Sequence, residues 1–141
     1  MVMAEVHDDL GFITGHFQPN VPGCLNAWTR EGKKFRVVVP KGYMLYQAAQ
    51  EMQHTTGGVV LAGMHEVVVG EGLEDLRKQA HAGGHDLWRV TTTVFFHAAS
   101  ENSVGPRAHF RTSEALAIYP DMTGGEHLDA GIRKIGLSQP H

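Results

Sequence analysis

Apolar and polar positions alternate in short runs along most of this chain, and glycine, proline and asparagine separate the runs. Alternation of that kind marks strands with one covered face, and the punctuation marks the turns between them. It predicts an extended run over Leu10 to Phe17, then a loop from His16 to Gly23 that carries two prolines and Asn20. Strands follow at Cys24 to Arg30 and Lys34 to Val39, about a turn at Arg30-Glu31-Gly32. Val59 to Val69 reads as one strand or two. Asp86 to His97 holds the strongest strand signal, from Trp88 to Phe96, because β-branched and aromatic residues dominate it. Met1 to Val6 offers too little chain to predict an element of its own.

Elsewhere the spacing is helical. Leu73, Leu76 and Ala80 recur on one helix face, acids lead and bases follow, and Gly83-Gly84 can end the element. Ser113 is placed to cap a short helix through Ile118, which Tyr119-Pro120 stops, and His127 to Ile135 forms another. Tyr43 to Gln53 is ambiguous: its first four residues suit a strand and the glutamine- and alanine-rich remainder suits a helix.

Composition narrows the function classes. A chain of 141 residues suits one domain with a sizeable core. Twelve basic residues against 15 acidic ones, a net charge of -3, give no field of the kind nucleic-acid binders carry, so a small-molecule partner is expected. Cys24 is the only cysteine, which excludes an internal disulfide and suits a reducing, cytoplasmic setting. Its expected role is that of a small buried apolar side chain. No apolar run approaches the roughly 18 residues of a membrane span, and the first residues have no signal-peptide pattern.

Candidate chemistry starts at His7-Asp8-Asp9. If the extended run reaches back through these residues, the period of two sends His7 and Asp9 to one face. His65, followed by the β-branched run Val67-Val68-Val69, is the best third ligand. Two histidines and one carboxylate on one face of an iron ion are the facial triad of non-haem Fe(II) oxygenases. With ten histidines in the chain many such trios could be drawn, so the trio alone decides little. His81 and His85 are four apart, but Gly83-Gly84 between them argues against a shared helix face.

The order of the remaining landmarks adds to this. His7-Asp8-Asp9 resembles a His-x-Asp motif, and Leu10 to Gln18 resembles the strand pair after it. Gly23-Cys24-Leu25 and Gly32 to Pro40 look like the next strands. Met52 with Thr56-Gly57-Gly58 fits the turn before a distal histidine at His65, and Arg89-Val90-Thr91 sits where an Arg-x-Ser motif is expected. In this order the chain resembles the 2-oxoglutarate/Fe(II)-dependent dioxygenase superfamily, specifically the C-terminal catalytic half of its isopenicillin N synthase-like branch.

The resemblance implies a mainly β double-stranded β-helix, or jelly roll, incomplete at its N-terminus, with an inserted helix and C-terminal helices. The core spans residues 1–112 with the helical insertion at about 71–84, and residues 113–141 form the helical tail of the same domain. The implied metal ligands are His7, Asp9 and His65 for Fe(II). Arg89 and Thr91 are the implied clamp for the far carboxylate of 2-oxoglutarate, and the other partners are an unknown small molecule and O2. The register also resolves Tyr43 to Gln53 toward a strand ending near Gln47, followed by a tight turn. Ala49-Gln50 stands where relatives have Gly-Asp, and Thr91 where they have Ser. Without a preceding strand, an uncovered sheet edge is expected to promote self-association. Two other readings stay open: a non-catalytic jelly-roll remnant serving as an interaction module, and a cupin-like Zn or Ni protein without 2-oxoglutarate chemistry.

Overall fold

The computed structural model describes residues 2–21, 23–70 and 72–136. In chain order the elements are β1 (Val2–His7), β2 (Ile13–Phe17), β3 (Leu25–Trp28), β4 (Lys34–Arg36), β5 (Met44–Ala48), α1 (Gln50–Thr55) and β6 (His65–Val68). They continue with α2 (Leu73–Ala82), β7 (Thr93–Phe96), a single 3-10 turn (Ala108–Phe110), α3 (Ser113–Ile118) and α4 (Gly124–Lys134). Four strands form one sheet in the order β1-β6-β3-β4, and three form another in the order β5-β2-β7. The described residues gather into two compact units, residues 2–7, 15–45 and 64–93, and residues 8–14, 46–63 and 94–136.

In the first unit, β6 is an inner strand, antiparallel to β1 on one side and to β3 on the other. The pairing puts His7 opposite His65 and His65 opposite Ala27. The stretch before His7 is therefore a strand and not a bare terminus. Length was a poor criterion here, because a strand needs no more than a few residues when a neighbour supplies its hydrogen bonds. β3 and β4 form the expected hairpin, with Gly32 at φ 80° in its turn, and Val21, Cys24 and Ala80 are buried in this unit. The insertion helix α2 lies where the spacing puts it, ending at Gly83-Gly84, with i,i+3 pairs Glu74–Arg77 and Asp75–Lys78 on its exposed side.

The second unit corrects two expectations. His7 and Asp9 do not share a strand: β1 ends at His7, β2 begins at Ile13, and residues 8–12 form a loop. Nor does β5 lead into a tight turn, since α1 starts two residues after it. One set of hydrogen bonds explains both. The amides of Ala49, Gln50 and Glu51 at the start of α1 donate to the carbonyls of Phe12, Asp9 and Gly11 at 3.1, 2.9 and 2.9 Å. A helix start leaves its first amides unpaired, and Ala49 has no side chain to cap them. The loop supplies the missing acceptors, and in doing so its carbonyls are lost to any strand ladder. Gly11 is required at this point, because a Cβ there would lie 2.6 Å from the carbonyl oxygen of Phe96.

Three further boundaries move. Only residues 65–68 of the Val59 to Val69 run are a strand, and only residues 93–96 of the Trp88 to Phe96 run. Thr112, not Ser113, caps α3, its hydroxyl accepting from the Ala115 amide at 3.1 Å. α4 begins at Gly124, three residues before His127, on a reciprocal capping box between Thr123 and Glu126.

Candidate metal centre

His7 and His65 face each other across the β1–β6 ladder, and directly opposite residues of a strand pair put their side chains on one face. Their ring centroids are 4.2 Å apart. Asp9 follows His7 by two residues. One ligand atom from each of His7, Asp9 and His65 lies within 4.8 Å of the other two, so a single ion could contact all three. Among the described residues this is the one group of three or more His, Cys, Asp or Glu able to hold a metal. His65 is 3 % exposed and Asp9 8 %, while His7 is the most open of the trio.

The loop in which Asp9 lies thus brings about what the strand argument expected for another reason. The loop itself is anchored by the first amides of α1. Gln47, on β5, donates its Nε2 to Oδ2 of Asp9 at 2.8 Å and orients the carboxylate. His7 Nδ1 lies 2.6 Å from the carbonyl oxygen of Glu5. A carbonyl only accepts, so Nδ1 is the donor here, and Nε2 is the ring nitrogen that a metal would bind. Sequence reasoning missed Gln47, and also His16, whose ring meets that of His65 edge-on with centroids 5.9 Å apart. Their alternation on strands was visible, but not what they would touch.

Glu66 points away from the histidine face, as its place after His65 in a strand requires. Lys34 pairs with it and Asn26 donates to it at 2.9 Å. These two partners, Lys34 first, hold its carboxyl below the usual carboxylate range. His81 and His85 border a separate cavity of about 410 Å³ with Arg77, Lys78 and Trp88.

The structure corrects the setting of Arg89 and Thr91. Residues 86–92 form no strand, so alternation does not align the two side chains, and Thr91 is exposed. Arg89 is half-buried, and its Nε is buried without a hydrogen-bond partner. A buried guanidinium nitrogen left unpaired is costly, and an anion is the partner that suits it.

No family model matches the chain. Among curated proteins it is 32 % identical over 122 residues to the peptide transporter imqJ of Aspergillus flavus, across 83 % of this chain and 23 % of that protein. It is 29 % identical over 119 residues to the 2-oxoglutarate-dependent dioxygenase phqC of Penicillium fellutanum, across 83 % of this chain and 32 % of that protein. Neurospora crassa T7H, solved in complex with alpha-KG and thymine, superposes with a TM-score of 0.74 at 15 % identity, over 96 % of this chain and 38 % of that one. The chain has the jelly-roll fold of the 2-oxoglutarate/Fe(II) oxygenases. AtDAO1 of Arabidopsis thaliana, solved with 2-oxoglutarate, agrees with a TM-score of 0.64 at 16 % identity, over 81 % of this chain and 38 % of that one. The chain thus spans about a quarter to a third of the curated relatives it matches, and the jelly-roll likeness covers well under half of each oxygenase structure compared.

Proposed function

We propose that this chain is the catalytic part of an isopenicillin N synthase-like oxygenase, which couples oxidative decarboxylation of 2-oxoglutarate to oxidation of a small molecule at Fe(II). The convergence of His7, Asp9 and His65 within this fold carries the reading. Two neutral imidazoles and one carboxylate would leave a bound Fe(II) with net positive charge, which suits an anionic co-substrate. A bound Fe(II) would supply O2 activation there: O2 is the oxidant, and 2-oxoglutarate provides two of the four electrons as it becomes succinate and carbon dioxide, the small molecule providing the other two.

The protein's own part is positioning. Glu5 and Gln47 orient His7 and Asp9, and the burial of His65 would limit water around a bound ion. Arg89 meets the far carboxylate of 2-oxoglutarate with its fork of donors, and the Thr91 hydroxyl assists. A reducing cytoplasmic setting suits the single, buried Cys24. Self-association is part of the same proposal: β7 is an edge strand whose Phe95 and Phe96 are 54 % and 48 % exposed, and a second copy would cover them.

Calorimetric titration with Fe(II), or with Mn(II) as an air-stable probe, followed by 2-oxoglutarate, tests the function. One metal site and metal-dependent 2-oxoglutarate binding are expected, and tight Zn(II) binding without any response to 2-oxoglutarate would contradict it. Size-exclusion chromatography tests the association, with a mass above the monomer expected and a Phe95→Lys variant shifted toward the monomer.

A further inference from the structure

The segment that carries Arg89 lacks a strand ladder, yet one side chain holds it on both sides of that residue. Asn20 Nδ2 donates to the carbonyl of Trp88 at 2.7 Å, and its Oδ1 accepts from the Val90 amide at 2.7 Å. The Asn20 amide also donates to the Val90 carbonyl at 3.3 Å, and the Phe17 amide to the Thr92 carbonyl at 3.0 Å. A carboxamide presents a donor and an acceptor side by side, as a peptide group does. The Asn20 side chain therefore supplements the few main-chain bonds of residues 86–92, which form no strand, and Arg89 is the residue between its two bonds. The Arg89 Nε is buried without a hydrogen-bond partner, and the backbone on both sides of it is tied to Asn20.

We propose that Asn20 is a positioning residue for Arg89: its side-chain amide locks the backbone on either side of Arg89 so that the guanidinium is pre-aimed at the distal carboxylate of the 2-oxo acid. The inference rests on the co-substrate reading of Arg89 given above. Preorganisation of this kind raises affinity by removing the ordering cost that a loose segment would incur on binding. Asn20 is itself exposed, so its loss leaves the buried core untouched.

The test compares two probes on the Mn(II)-loaded chain. 2-Oxoglutarate has the distal carboxylate and pyruvate does not, so only the first uses Arg89. Asn20→Ala should weaken 2-oxoglutarate about ten-fold, the factor that one or two net hydrogen bonds correspond to, and leave pyruvate and Mn(II) affinities as they were. The Val90 amide should also lose its protection from hydrogen exchange, while the amides of β6 keep theirs. Asn20→Asp retains the acceptor for Val90 but not the donor for Trp88, and should fall between the wild type and Asn20→Ala. Equal weakening of both 2-oxo acids would make Asn20 a general structural residue and overturn the proposal. So would unchanged 2-oxoglutarate affinity in Asn20→Ala when Arg89→Ala abolishes it. A wild-type chain that binds no 2-oxoglutarate would instead overturn the co-substrate reading itself, and the positioning role with it.

Discussion

His7 and His65 lie on paired strands, whereas the backbone around Arg89 is tied by two scattered main-chain bonds and by both ends of the side-chain amide of one exposed asparagine. Both segments are rich in strand-forming residues, and the richer of the two is the one that forms no strand around Arg89. Strand propensity reports how well side chains suit a pleated surface, and a ladder needs a neighbouring backbone with unspent donors and acceptors. The practical difference is in fragility. On the proposed reading, removing His7 or His65 from the ladder should leave its neighbours in place, while loosening residues 88–90 should weaken 2-oxoglutarate binding and not metal binding.

The largest expected effect is on the ladder side. His65→Ala should abolish measurable Fe(II) or Mn(II) binding, because a facial triad missing one ligand leaves two anchors. His81→Ala and His85→Ala, in the insertion region, should bind metal as the wild type does. Unchanged affinity in His65→Ala would remove that residue from the centre.

Next in size, Arg89→Ala should cost on the order of 2 to 5 kcal/mol in 2-oxoglutarate binding, as for loss of a buried charge-assisted partner, with metal affinity preserved. Parallel loss of both ligands would mean that residues 88–90 support the fold and not the co-substrate. Thr91→Ser should be mild by the same titration and Thr91→Val worse, since only the second deletes the hydroxyl.

How far the sequence carried these assignments depended on which partners were local. That His7, Asp9 and His65 come together was legible, as was α2, whose spacing and terminating glycines lie in one short stretch of chain. The path between His7 and Asp9 was not, because the acceptors of residues 9–12 are taken by amides at residues 49–51, some forty positions away. Asn20 read only as a loop residue, and the segment it secures read as strand. In each case the missing fact was where a polar group finds its partner, and no window of sequence contains that.

Gly11→Ala gives a smaller effect that joins the loop to the centre. The added methyl would press on the Phe96 carbonyl at 2.6 Å, and overpacking of this kind costs typically about 1 to 3 kcal/mol. A lower Tm with weakened metal binding is expected, because the strained loop contains Asp9. A lower Tm with intact metal affinity would show that the loop yields elsewhere.

The smallest effect is that of pH on the helical region. His54 and His127 meet edge-on with ring centroids 4.8 Å apart, and burial pushes both below their ordinary 6.5. For His127 the nearby His54 and His97 add to the lowering and Asp8 opposes it. The folded chain therefore holds these rings neutral while the unfolded chain takes up protons near pH 6.5. Their contribution to stability is full above that pH and is lost as the pH falls through and below it. Thermal melts between pH 7.5 and about 5 should show a declining Tm, with a shallower slope in His127→Leu; an equal slope would place the titration elsewhere.

The most direct measurement of the central claim is anaerobic titration of the Fe(II)-loaded chain with 2-oxoglutarate, followed by the visible charge-transfer band that a chelating 2-oxo acid produces on iron(II). The band should grow to one equivalent in the wild type and in His81→Ala, require more 2-oxoglutarate in Arg89→Ala, and be absent in His65→Ala. A band that persists in His65→Ala, or none in the wild type despite bound iron, would contradict the assignment of His7, Asp9 and His65 as an oxygenase centre.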